Sequence, residues 1–216
     1  MAETRVRELT YPSFTEGDGG EIRQNKRGEL IVIDWKEQAA IDGRCFNWSH
    51  LTPDTLITGT INYTATVPGL QVVVPVGTTI LPYYTCITVE DAADTDYHIK
   101  IGFDTGNLYT SGGLDGSAIN NLRTDSPFQT AIKTAKNGDS AITGVDPGAS
   151  ERFLFHWVDQ FAMADDRGGH YIIEWKPRVC PVLVGPATFY AWVYGATSAQ
   201  EYQYVVQWIE VPTAVV

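Results

Sequence analysis

Short β-branched runs and period-two alternation dominate the hydrophobic pattern of the chain. The first run, Glu29-Leu30-Ile31-Val32-Ile33-Asp34-Trp35, follows a glycine turn. Comparable runs at 56–64, 70–76, 79–90, 97–103, 170–175, 179–184, 188–194 and 202–211 predict eight or nine strands. Pro68-Gly69 supplies a fixed φ followed by a residue free to take positive φ, so 56–64 and 70–76 are expected to form a hairpin. The clearest alternation is at the end of the chain. There Val205, Gln207, Ile209 and Val211 collect on one face and Tyr204, Val206, Trp208 and Glu210 on the other. Both faces are largely apolar, which places this strand centrally in a sheet or under a neighbouring subunit. The run 189–194 behaves alike, and a hairpin through 195–201 is expected to join the two. Pro75, Pro82 and Pro177 lie inside or at the ends of such runs and mark edges, bulges or strand switches, because proline cannot donate to a ladder.

Helix signals are few. Residues 153–164 suit either a short helix or an aromatic strand, and 126–135 and 34–41 are the other helix candidates. No period of about 20–50 residues repeats, which argues against a solenoid or propeller. Residues 104–148 are rich in Gly, Asn, Asp, Ser and Thr and read as a loop-rich insertion, more excursion than sheet. Residues 1–28 bury little beyond Leu9, Tyr11, Phe14 and Ile22 and read as an extended arm. The expected architecture is therefore all-β: the arm at 1–28, then one antiparallel, jelly-roll-like sandwich over 29–216. A pair of smaller immunoglobulin-like sandwiches fits less well, since neither half carries a Cys-Trp-Cys pattern or a linker.

Composition sharpens this picture. With 216 residues, 44% of them hydrophobic and 19% charged, the chain can bury a substantial core. Its 15 Lys and Arg against 26 Asp and Glu leave a net charge of −11, the wrong sign for neutralising phosphates, so direct nucleic-acid binding is not expected. Within the arm, Arg5, Arg7, Arg23, Lys26 and Arg27 balance Glu3, Glu8, Glu16, Asp18 and Glu21, and the whole acidic excess falls on 29–216. No apolar run approaches the roughly 20 residues of a bilayer span, and residues 1–8 alternate charges. Neither membrane association nor secretion is expected. Cys45, Cys86 and Cys180 are odd in number and widely spaced, as free, mostly buried thiols would be.

Catalytic signals are weak throughout. Ser111, Ser117, Ser140 and Ser150 lack a nucleophile-elbow context, and no phosphate-cradling glycine loop occurs. His50, His98, His156 and His170 never fall at helical zinc spacing; only His156 with His170 and Asp159 or Asp165 is a remote metal combination. No enzyme activity and no cofactor are expected. The acidic turn 90–96 reads first as solvated charge, with Asp91, Asp94 and Asp96 as a weak Ca²⁺ candidate. Two glycosylation-type tripeptides, Asn47-Trp48-Ser49 and Asn62-Tyr63-Thr64, are read as chance matches. Aromatic side chains concentrate in strands and read as core and subunit interface, with Tyr190, Trp192, Tyr194, Tyr204 and Trp208 as the interface candidates. The competing use of exposed aromatics is a carbohydrate- or receptor-binding module of a phage tail or adhesin, with Trp48 or Tyr109 as loop residues stacking on sugar.

The arm running into Gly20-Glu21-Ile22-Arg23-Gln24-Asn25-Lys26-Arg27-Gly28-Glu29-Leu30-Ile31-Val32 resembles the start of small virion proteins of tailed phages. Pro186-Ala187-Thr188-Phe189-Tyr190-Ala191-Trp192-Val193-Tyr194-Gly195 with 204–211 resembles the closing strands of trimeric jelly rolls in viral capsid and decoration domains. The resemblance implies a non-enzymatic head-decoration or minor capsid component, assembled in host cytoplasm and located in the virion. Its implied partners are copies of itself, as a homotrimer, and other virion proteins such as the major capsid protein.

Overall fold

The structure, a computed structural model, describes residues 34–50, 55–91, 97–116, 118–148, 151–159, 171–195, 199 and 201–212. The arm 1–28 and the run 29–33 lie outside these residues. One helix, α1 (Trp35–Ile41), opens the described chain. The strands are β1 (Cys45–Ser49), β2 (Ile57–Thr58), β3 (Leu70–Val74), β4 (Thr78–Asp91), β5 (Tyr97–Thr105), β6 (Tyr109–Leu114) and β7 (Asn120–Asn121). They continue with β8 (Thr134–Gly144), β9 (Arg152–Asp159), β10 (Tyr171–Trp175), β11 (Leu183–Val184), β12 (Ala187–Gly195) and β13 (Glu201–Pro212).

Local chemistry sets both ends of α1. The Asp34 carboxylate accepts from the Lys36 amide at 2.8 Å as N-cap, and Glu37 complements the dipole in the first turn. At the far end Gly43 takes φ +68°, its amide donates to the Ala40 carbonyl and the Arg44 amide reaches back to Ala39. This left-handed residue with paired back-bonds is a Schellman stop. The helix lays Ala39 on Cys45 and Ile209, which covers one end of the outer face of the first sheet.

Eight of the strands carry the architecture. Taken in chain order as β1, β3, β4, β5, β9, β10, β12 and β13, the first pairs with the last, the second with the seventh, the third with the sixth and the fourth with the fifth. Every one of these pairs is antiparallel. The β13·β4 and β12·β5 pairs then join them into two sheets, β10-β4-β13-β1 and β3-β12-β5-β9. This is the strand order of a jelly roll, as the sequence pattern predicts. Between the sheets lie Phe46, Trp48, Tyr202, Tyr204 and Trp208 from one side and Leu70, Val72, Ile99, Ile101, Phe189 and Val193 from the other. Every second residue of β12 and β13 points into this core, so the period-two reading holds.

Partner strands differ from the expectation. Residues 56–64 and 70–76 do not form a hairpin: β2 pairs with β13 in the first sheet, whereas β3 pairs with β12 and β8 in the second. Likewise β12 and β13 lie in different sheets. Alternation reports which face of a strand is buried, but both arrangements bury the same face, and rolling the chain sends sequence neighbours to opposite layers. Residues 126–135 form no helix. Pro127 and the Ser126 hydroxyl, which accepts from the Phe128 amide, hold a loop there before β8 begins. Residues 152–159 form the strand β9, which resolves the helix-or-strand ambiguity in that stretch.

Pro82 sits where a proline in a long strand is tolerated. The β4·β13 register shifts between Gln207 and Trp208 beside it, and on the other edge β10 pairs 85–89 and β11 pairs 79–80, so no neighbour needs a donor at 82. The segment 104–148, read as loops more than sheet, supplies three strands. β6 and β8 extend the second sheet beyond β3, and β7 extends the first beyond β1. Consecutive glycines make the first of these possible: Gly112 and Gly113 take φ +78° and +70°, and a Cβ on Gly112 would stand 2.2 Å from the Ala141 carbonyl.

Candidate functional site

Trp48, Trp192, Trp208, Tyr97, Tyr190, Tyr202, Phe46 and Phe189 are each fully buried, and those that point inward fill the space between the sheets. Trp48, expected as a loop aromatic, is 0% exposed in β1 and donates its indole N–H to the Asp115 carbonyl at 2.7 Å. It cannot stack on a sugar. Tyr109 is half-buried in β6 and donates to the Gly112 carbonyl at 2.9 Å.

The five interface candidates divide by face. Tyr204 and Trp208 point into the core, where Tyr204 packs on Trp48 with ring centroids 4.5 Å apart. Tyr190, Trp192 and Tyr194 alternate with the inward residues of β12 and project from the outer face of the second sheet. Even there Tyr190 and Trp192 are each 1% exposed, because the chain covers them with its own 60–67 segment and Glu151. The Trp192 indole donates to the Thr64 carbonyl at 3.1 Å, and Tyr63 leans on both Trp192 and Tyr194. Of the five, Tyr194 alone is half-exposed, beside Tyr63, which is 40% exposed.

Beneath this cover lies a charged pair that the sequence reading passed over. Lys100 Nζ is 2.7 Å from a Glu151 carboxylate oxygen, with the two side chains 7% and 11% exposed. The ammonium also donates to the Tyr63 hydroxyl at 2.7 Å and sits 4.4 Å and 4.6 Å from the ring centroids of Tyr63 and Trp192. Ring faces and a carboxylate thus replace the water that the cation loses on burial. The signal available in the sequence was the polar alternation His98, Lys100, Gly102, Asp104 along β5, whose other face is apolar. Burial first, and then the Glu151 carboxylate, raise the Tyr190 phenol well above its ordinary range. Gly102 completes the packing: a Cβ there would stand 2.9 Å from the Tyr190 ring and 3.1 Å from the Arg152 carbonyl. Gly102→Ala is accordingly expected to cost about 1–3 kcal/mol, read by urea denaturation. An unchanged midpoint would mean that the ring and the β9 backbone give way freely.

Of the Ca²⁺ candidates, Asp91 is the last residue of β4, whereas Asp94 and Asp96 lie outside the described residues. Among the described residues no three His, Cys, Asp or Glu side chains gather as metal ligands. His156 lies opposite Lys100 across the β5·β9 pair, and its remote partner His170 is outside the described residues. The thiols are free, with Cys45 buried and Cys86 and Cys180 half-buried. Burial pushes the Cys45 thiol up to about 12, against a weaker opposing hydrogen bond from Tyr83, so it is protonated at neutral pH.

A second feature lies at the β7 edge of the first sheet. Residues 119–130 wall an open cleft of about 430 Å³ floored by Phe46. Side chains hold this loop rigid without regular structure. Asn121 Nδ2 donates to the Gly43 carbonyl at 2.7 Å and to the Phe128 carbonyl at 3.3 Å. Arg123 pairs with Asp125 at 2.7 Å and donates to the Ile41 carbonyl at the end of α1. Glu210, 8% exposed, accepts from the Thr130 hydroxyl, the Ala131 amide and the Trp208 indole. Gly43 lies so close that a Cβ would meet Ser126 Oγ at 2.1 Å, and the same glycine that ends α1 therefore admits the loop.

Strand order and an aromatic-packed core define this chain as an antiparallel jelly-roll protein. No protein-family model matches the sequence, and no curated protein matches it. Among solved structures, the chain aligns with the infectious bursal disease virus VP2 subviral particle at 12% identity, over 79% of this chain and 42% of that one, with a TM-score of 0.19. The chain thus spans under half the length of that protein, and a superposition this loose carries no argument about fold or function.

Proposed function

We propose that the protein is a non-enzymatic structural component of a virus particle, a capsid decoration or minor capsid subunit that self-associates as a homotrimer. The observation that carries this reading is the jelly-roll strand order with an aromatic-filled interior. Jelly rolls serve as capsid building blocks, as lectins and as cupin enzymes, and the last of these need an open interior that this chain fills with side chains. The arm 1–28 is then the segment that reaches a neighbouring subunit or the major capsid protein. Charge favours an exterior position, since the arm is neutral and the acidic excess of −11 sits on the body, where it deters contact with packaged nucleic acid.

Light scattering at two concentrations tests the assembly. The expected mass is three times 23.8 kDa, and a monomer at both concentrations would sink the reading. Loss of the trimer in EDTA would assign an ion-dependent role to Asp91, Asp94 and Asp96. Deleting residues 1–28 is expected to leave a cooperatively unfolding body that no longer binds particles in a co-sedimentation assay. Normal attachment of the truncated protein would remove the arm from the proposal.

A further inference from the structure

We infer that the cleft walled by β7 and residues 122–130 is a binding site for a neutral saccharide. The inference does not depend on the particle reading, because it rests on what lines the cleft. At about 430 Å³ the cleft lies within the usual range for small-ligand sites. Its polar groups fall into two sets. Asn121, Arg123, Ser126 and Thr130 are committed to holding the loop, each bonded to backbone or to a neighbouring side chain. Asn120, Thr124 and Gln129 also line the cleft, are exposed, and make no side-chain hydrogen bond within the described residues. Two amides and a hydroxyl, each able both to donate and to accept, suit the paired donor and acceptor character of adjacent sugar hydroxyls.

The charges point the same way. Three of the five Arg123 N–H groups are taken, by Asp125 on Nε and Nη2 and by the Ile41 carbonyl on Nη1, and the Asp125 carboxylate offsets the charge that would draw a carboxylate or phosphate. Arg44 lies 4.1 Å over the Phe128 ring centroid. Phe128 nonetheless lines the cleft with 42% of its surface exposed, a flat apolar plate beside the free amides. Stacking on the C–H face of a pyranose while the amides take its hydroxyls is the use this pairing allows. The loop is fixed beforehand by Asn121, Arg123 and Glu210, so binding pays little ordering entropy.

The test uses the full-length protein on a glycan array carrying neutral hexose and N-acetylhexosamine oligosaccharides together with sialylated and sulfated ones. The expected result is binding of at least one neutral glycan, weakened about tenfold by Asn120→Ala or by Gln129→Ala. Both side chains are exposed and make no hydrogen bond within the described residues, so both variants should keep the parent melting temperature and solution mass. No binding of any neutral glycan overturns the inference, as does binding confined to charged glycans or binding that both substitutions leave intact. The solution mass, measured on the same samples, reports on the assembly reading separately.

Discussion

Replacing Trp48 with alanine is expected to lower the unfolding free energy by about 3–5 kcal/mol. Three terms act together. The indole is 0% exposed between the sheets, so its removal leaves a cavity that β1, pinned between β13 and β7, cannot close. The ring contact with Tyr204 disappears. Finally, the Asp115 carbonyl loses its donor, and with it goes one tie holding the 104–148 insertion to the sandwich. Gly116 shows how tightly that turn is pressed: at φ +66°, a Cβ would stand 2.3 Å from the Tyr204 hydroxyl and 3.3 Å from the Trp48 indole nitrogen. For a domain of this size the loss corresponds to a fall of roughly 6–20 °C in Tm. Trp48→Phe keeps most of the apolar volume and should lose less than half as much. A Tm within about 2 °C of the parent for the alanine variant would contradict the packing described.

Removing one partner of the buried pair is the second large effect. Lys100→Met leaves the Glu151 carboxylate 11% exposed with its counter-charge gone, and breaking such a pair costs about 3–5 kcal/mol. The variant also loses the contacts that clamp Tyr63 over Trp192, so the 60–67 cover should become the first part of the molecule cut by protease. The double variant Lys100→Met, Glu151→Leu isolates the electrostatic part. With both charges replaced by apolar side chains of similar length, most of the stability should return, because the desolvation penalty of the pair disappears with its attraction. If the double variant is no more stable than the sum of the two single ones, Lys100 and Glu151 do not act as a pair. Urea denaturation of all four proteins makes the comparison.

These two predictions fall on residues that the chain reveals unequally. Trp48 reads as apolar in any pattern, yet its tripeptide Asn47-Trp48-Ser49 looks like a loop; the β1·β13 and β1·β7 pairs bury it. Lys100 reads as a polar position on the wet face of a strand. It is buried because a segment some 37 residues earlier and a carboxylate 51 residues later close over it. Tyr190 and Trp192 illustrate the same point: alternation marks both faces of β12 as apolar, but it does not say whether the second face is covered by another subunit or by the chain itself. Here the covering comes from 60–67 and Glu151, and of the three outward aromatics of β12 only Tyr194 stays half-exposed, beside Tyr63.

By itself the sequence determined the long strands at 70–76, 79–90, 97–103, 188–194 and 202–211 with their inward and outward faces, the all-β class and the acidic character of the body, but not the strands within 104–148. Each of these depends on local composition or on a period of two residues, and both are written along the chain. Tertiary structure alone decided the partners. Asn47 and Gln207 meet from 160 residues apart, and the roll sends neighbouring strands into opposite sheets. It also decided that residues 119–130 wall a cleft, since Asn121 and Arg123 acquire their roles only where the end of α1 passes. Backbone pairing is indifferent to side-chain identity along two equally apolar strands, so local pattern fixes the face of a strand and long-range packing fixes its neighbour.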